Sequence, residues 1–233
     1  MLRLENLTLH SAGRIILDAL DLHVAPREIV ALVGAEAAGK TAALECCLGR
    51  RRPDSGRVLV AGLDVARSPH EATLHLSSVP AHPDLPSART GFAHLRESCV
   101  LRSRRIPEAI LAATLVRDGI PTEFHHRRIA DYSTALSWNL ALTVAILGNA
   151  TAVLLDDPTA GFAGAEIDAL VVRLRRIRKG GTAILLATRD LAFARRLATR
   201  VVLLERGVVV ETFDPNASRR AHADESYLAE LIA

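Results

Sequence analysis

The sequence predicts an α/β fold with a mixed sheet core, an antiparallel β region at the N-terminus and an inserted helical subdomain. Three observations carry this expectation. The segments AVLLD (152–156) and TAILLAT (182–188) are short unbroken apolar runs, the pattern of strands buried on both faces of a parallel sheet. Between them Ile167, Leu170, Val171, Leu174 and Ile177 recur at helical spacing, with Gly180 and Gly181 as the stop, which completes a strand, helix, strand unit. Near the N-terminus, EIVALV leads through GAEAAGKT into AALECCL, a strand, a loop and a helix.

In chain order, residues 2–9, 15–17, 21–24 and 28–33 are short apolar stretches separated by turns and read as strands. A helix follows over 40–48. The turn-like PDSG (53–56) introduces another strand, 57–61. From about residue 88 to 148 the pattern becomes helical, with Pro107 expected at a first helical position and Gly119 just past the end of PEAILAATLVRD. The expected division is one domain over 1–233: a core from about 1–87 and 149–212, a helical subdomain over about 88–148, and a polar, turn-prone tail over 213–233 that looks detachable.

Composition narrows the class. A hydrophobic content of 49% is ample for one sizeable core. Lys plus Arg number 29 against 26 Asp plus Glu, and a net charge of +3 is too small to argue for nucleic acid. Cys46, Cys47 and Cys99 are odd in number and include an adjacent pair, which suits neither a disulfide framework nor a CxxC metal site and fits a reducing compartment. MLRLENLTL lacks the apolar core of a signal peptide, and no run approaches about 18 apolar residues, so any membrane association is expected to go through a partner.

GAEAAGKT, residues Gly34, Ala35, Glu36, Ala37, Ala38, Gly39, Lys40 and Thr41, matches G-x-x-x-x-G-K-[ST] between a strand and a helix. Backbone N–H groups and a helix N-terminus in that setting cradle phosphates, and a lysine offsets their charge. Lys40 is expected to reach the outer phosphates and Thr41 to ligate Mg²⁺. Two features weaken the loop. Glu36 brings negative charge where phosphates must sit, and Ala37 costs about 1–2 kcal/mol if its backbone needs φ > 0.

An acid at the end of a buried strand should complete the magnesium site, and Asp156 in LLDDPTAGFAG fits. With GAEAAGKT, VLLDDPTAG and TRD in place, together with RRPDSGRVLVAGLDV and LATRVVLLERGVVVE, the chain resembles the nucleotide-binding subunit of ABC transporters over almost its whole length. It is most similar to the short ATPase subunits of ABC-2 type exporters. The resemblance implies a P-loop NTPase of ABC ATPase type with ATP and Mg²⁺ as cofactors. It also implies a polytopic transmembrane permease as partner, a second ABC ATP-binding subunit in a homodimer or heterodimer, and a position at the cytoplasmic face of the membrane. No nucleic acid is expected.

Laid on these residues, the family pattern is incomplete. Asp157 stands where the family has the glutamate that orients and deprotonates water. It is shorter by one C–C bond, about 1.5 Å, and a misplacement near 1 Å costs about 10²-fold in rate unless the backbone shifts to compensate. Arg189 replaces the switch histidine, and a guanidinium only donates. The glutamine after SSVP is Ala81, and the D-loop aspartate is Ala163. The signature reads Ser133, Thr134, Ala135, Leu136, where glycines would let backbone N–H groups close on the γ-phosphate held by the opposite subunit. His10 and Ser11 stand where an aromatic stacks on adenine. The resemblance therefore implies an ATP-binding subunit with slow or absent hydrolysis. A pseudo-ATPase scaffold and a soluble ABC protein in nucleic-acid or cofactor-assembly work are the alternatives.

The remaining conspicuous residues read as structural. Arg173, Arg175, Arg176, Arg178 and Lys179 lie near the end of a helix with a regular apolar face, where cations favour the dipole. Trp138 reads as core, and at least one of Cys46 and Cys47 as buried.

Overall fold

The computed structural model describes residues 2–148 and 150–217. The expected tail lies, from residue 218 on, outside the described residues. Two sheets form the frame. The first contains β1 (Leu2–Ser11), β2 (Arg14–Val24), β4 (Ser55–Val60) and β5 (Leu63–Asp64), antiparallel throughout in the order β2-β1-β4-β5. The stretches expected as two strands over 15–17 and 21–24 form one strand, β2. Its pairing with β1 shifts register three times, and positive φ at Asn6 and Ala19 marks where the two strands are irregular. Those interruptions break the alternation that a continuous strand would show.

The second sheet has the order β10-β9-β3-β8-β7-β6, from β3 (Ile29–Val33), β6 (Leu76–Val79), β7 (Ala152–Asp156), β8 (Ala183–Thr188), β9 (Arg200–Glu205) and β10 (Val208–Phe213). All neighbours are parallel except the β9–β10 hairpin, so the sheet is mixed. Every residue of β3 and β8 is buried, as the unbroken apolar runs require. Successive residues alternate between two cores. Val30, Leu32, Leu154, Leu185, Val202 and Leu204 face the antiparallel sheet and α1 (Lys40–Cys47). Ile29, Ala31, Val33, Leu155, Leu186 and Leu203 face three helices: α5 (Thr134–Leu147), α6 (Gly164–Lys179) and α7 (Leu191–Leu197). A short α2 (Pro69–Leu74) precedes β6.

Between β6 and β7 the chain builds α3 (Gly91–Leu101), α4 (Glu108–Arg117) and α5 around a third core of Leu95, Cys99, Leu111, Leu115, Ile120 and Leu140. Pro107 is the N-cap of α4, one position outside the helix, and Gly119 follows its end at φ 88°. Arg173, expected to complement the dipole at the end of α6, has a different role. It is 6% exposed and reaches across to Asp118 (3.1 Å), Asn139 and Thr143, tying α6 to α4 and α5. Arg176 and Arg117 bond the other side of the same carboxylate, at 2.6 and 3.0 Å. Burial alone would raise the Asp118 pKa, but the three guanidinium groups outweigh it and hold the carboxyl below its usual range. Burial lowers Arg173 to about 10.

Candidate functional site

Strand register brings the predicted residues to one edge of the parallel sheet. Val33 pairs with Thr188, Asp156 with Ala187, and Val79 with Leu155. The chain therefore leaves β3 into the loop 34–41, β7 at Asp156 and Asp157, β8 at Arg189, and β6 toward Ala81, all on the same side. Open parallel sheets place ligands at this carboxyl edge.

The loop is held from outside. A Cβ on Gly34 would lie 2.2 Å from the Leu204 carbonyl oxygen, and one on Gly39 (φ 104°) 2.6 Å from that of Ile16. These glycines are therefore required by close backbone approach. The turn of the β9–β10 hairpin adds a direct bond, from the Gly207 N–H to the Ala38 carbonyl at 3.0 Å, and Gly207 in turn accepts from the Asp18 N–H. Ala37 takes φ 61°, the left-handed conformation in which its methyl is strained. Gly39 caps α1 without a side-chain hydrogen bond, and a cavity of about 180 Å³ opens there, lined by Ile16, Ala37, Gly39, Lys40, Thr41 and Ala42.

Lys40 Nζ donates to the carbonyls of Gly34 (2.7 Å) and Ala35 (2.6 Å). Burial, reinforced by Arg189, holds its ammonium below the ordinary lysine pKa against the pull of Asp157, Asp156 and Glu36. Thr41 Oγ1 donates to Asp156 Oδ2 at 3.1 Å. Burial pushes the Asp156 carboxyl up, the Thr41 bond opposes this, and the neighbouring Asp157 charge adds to it. A hydroxyl and a desolvated carboxylate with a second carboxylate beside them form a hard oxygen set, and a divalent cation relieves their crowding. The residues thus fit both phosphate and Mg²⁺.

Asp157 has φ 40° immediately before Pro158, a conformation doubly disfavoured. It is fixed there by its N–H to the Ala187 carbonyl (2.8 Å), while its carboxylate accepts from Thr188 Oγ1 at 3.4 Å. Thr188 is buried and also accepts from the Asp190 N–H; Asp190 caps α7 through the Phe193 N–H. Arg189, between them, reaches Glu36 at 3.7 Å. Sequence reasoning treated these two residues separately and missed their pairing.

The signature residues lie apart from the loop. Ser133 caps α5, its Oγ accepting from the Leu136 N–H at 3.2 Å. Ser133 and Thr134 are exposed, Ala135 is buried and Leu136 packs on the helical core. Among the described residues no hydrogen bond or ion pair joins 133–136 to 34–41. Ala163 caps α6 with no side-chain acceptor, and Glu166 bonds its N–H at 2.7 Å. His10 is bonded through Nδ1 to Asp54 at 2.9 Å. Trp138 is buried edge-on against Phe162, 5.8 Å between centroids. All three cysteines are free and buried.

The chain is similar to known proteins in sequence and in fold. The family model described as ABC transporter matches residues 17–160. An uncharacterized ABC transporter ATP-binding protein, YhcH of Bacillus subtilis (strain 168), is 24% identical over 216 residues, covering 91% of this chain and 69% of that protein. The daunorubicin resistance ATP-binding protein DrrA2 of Streptomyces coeruleorubidus is 30% identical over 201 residues, covering 86% of this chain and 62% of that one. The chain thus spans about two thirds of these relatives' length. A solved structure described as the ATP binding subunit of an ABC transporter superposes with a TM-score of 0.84 at 23% identity, covering 100% of this chain and 99% of that one, a likeness of fold.

Proposed function

The chain belongs to the ABC transporter family, and from that membership we propose that it is an ATP-binding subunit coupling nucleotide binding, with slow or absent hydrolysis, to a transmembrane partner of exporter type. The observation that carries the binding half is the 3.1 Å contact between Thr41 and Asp156 beside a glycine-framed loop bearing Lys40. The exporter half rests on likeness to a drug-resistance relative.

In this reading Lys40 and the first-turn amides of α1 hold the phosphates, and Thr41 and Asp156 hold Mg²⁺. The cation supplies charge neutralisation at the phosphate oxygens. The chain's own residues orient and exclude. Lys40 exchanges the loop carbonyls of Gly34 and Ala35 for phosphate oxygens. Asp157 would be the residue to receive a proton from water; its short carboxylate, bonded by Thr188 and fixed on a strained backbone, supports slow turnover. Arg189 can donate to a phosphate and cannot relay a proton. Ser133, Thr134, Ala135 and Leu136 would face the nucleotide of a second ATP-binding subunit, with the Thr134 side chain obstructing close approach. No helix among the described residues is long and apolar enough to cross a membrane. Attachment to a permease subunit at the cytoplasmic face is proposed from membership of the family. A scaffold that senses nucleotide without consuming it is the second reading, favoured by the same Asp157 geometry.

The test is ATP binding and steady-state hydrolysis on the complex with its membrane partner, beside Lys40→Ala and Asp157→Glu. We expect binding that Lys40→Ala abolishes and turnover near background. Fast turnover abolished by Lys40→Ala would refute the slow-hydrolysis half. Binding unaffected by Lys40→Ala would refute the site.

A further inference from the structure

Two departures from the family pattern meet each other across the site. Glu36 lies in the phosphate loop and Arg189 beyond the end of β8, and their side chains approach to 3.7 Å. Considered alone, Glu36 repels phosphate, and Arg189 is a cation where a neutral ring would stand. Together they cancel. The site retains the Lys40 charge against Asp156 and Asp157, and the loop's added carboxylate is answered by a guanidinium rather than left to oppose a ligand.

The placement of Arg189 is rigid at its base and free at its tip. Thr188 before it is buried and bonded to Asp157 and to the Asp190 N–H, and Asp190 after it caps α7. The guanidinium itself is 58% exposed and Glu36 89% exposed, so the pair is open to solvent and to exchange of partners. Val33, which leads into the loop, pairs with Thr188, so Arg189 leaves β8 beside the start of the loop that carries Glu36 and Lys40. A guanidinium prefers a phosphate, which offers it two oxygens in the geometry of its fork, to a carboxylate held at 3.7 Å.

Resting on the ATP-binding reading above, we propose that Glu36 restrains Arg189: it holds the guanidinium until a terminal phosphate takes it over, so Arg189 favours a triphosphate over a diphosphate and Glu36 weakens that preference. Glu36 is then a competitor for Arg189 rather than a source of repulsion. The distinction is measurable. Pure repulsion makes removal of Glu36 equally helpful whether or not Arg189 is present. Competition makes it helpful chiefly when Arg189 is present to be released.

The experiment is a double-mutant cycle on the full chain, Glu36→Gln, Arg189→Ala and both together, with Lys40→Ala as the control for the site. Calorimetric titration with Mg-ATP and with Mg-ADP gives the affinities, and thermal unfolding verifies that each variant is folded, as expected for two exposed side chains. Glu36→Gln should tighten ATP by about two- to fivefold, the scale of an exposed ion pair, and leave ADP nearly unchanged. In the Arg189→Ala background the gain for ATP should largely vanish. An equal gain in both backgrounds, or the same coupling for ADP as for ATP, overturns the restraint of Arg189 by Glu36 while leaving ATP binding intact. No ATP binding by any variant, with Lys40→Ala indistinguishable from the rest, overturns the ATP-binding reading and the restraint with it.

Discussion

Replacing Ala37 with glycine should stabilise the protein. Ala37 sits at φ 61°, where an L-residue costs about 1–2 kcal/mol. Its methyl is exposed, so removing it forfeits little buried apolar surface. Against the relief stands the greater freedom of glycine in the unfolded chain, about 0.4–1 kcal/mol. The balance is a gain of roughly 1 kcal/mol, or about 2–4 °C in Tm for a chain of this size. Ala35, two residues earlier in the same loop, has no positive φ, so Ala35→Gly meets only the unfolded-state penalty and should lower stability by about 0.5–1 kcal/mol. Thermal unfolding of the two variants beside the parent, at fixed pH and without nucleotide, is the assay. Opposite signs are expected. A fall in Tm for Ala37→Gly, or the same sign for both, would refute the claim that this loop stores strain at residue 37.

Gly34→Ala should destabilise by about 1–3 kcal/mol, as other overpacked sites do, because its Cβ would meet the Leu204 carbonyl oxygen at 2.2 Å and backbone does not yield as a side-chain tip does; denaturant unfolding with no change in midpoint would show that β9 does not brace the loop. Asp118→Asn should cost about 3–5 kcal/mol, because it leaves the buried Arg173 without its countercharge. The Asp118 pKa is depressed in the fold, so its contribution is present above the ordinary carboxylate pKa and lost as pH falls through the lower folded value. Parent and Asp118→Asn stabilities should therefore be far apart at neutral pH and converge only in acid below about pH 4; a gap that closes between pH 7 and 5 would contradict the assignment.

Where one stretch of chain contains both the signal and its consequence, the sequence is legible. The phosphate loop, the buried strands β7 and β8 and the stop at Gly180 and Gly181 are all local patterns. The strands β5, β6, β9 and β10 were not read as elements, because two are very short and the others form a hairpin with a half-solvated edge strand. Arg173 reads as one of a row of cations complementing the helix dipole, since nothing near it in sequence reveals that Asp118 waits on another helix. The link between Glu36 and Arg189 was hidden for the same reason. Each was visible as an oddity, but their meeting depends on the β3–β8 pairing. Ala37 fell between these cases: its strain followed from the motif only on the condition that φ was positive, and the backbone supplied that condition.

The hairpin turn that leans on the phosphate loop has a bearing on biosynthesis. The loop is synthesised well before the groups that brace it, the Leu204 carbonyl and the Gly207 N–H. Contacts so distant in sequence form late. On the proposed reading, a nascent chain displays Lys40 and Thr41 before their loop is braced, and nucleotide capture would await the joining of β9 and β10 to the sheet.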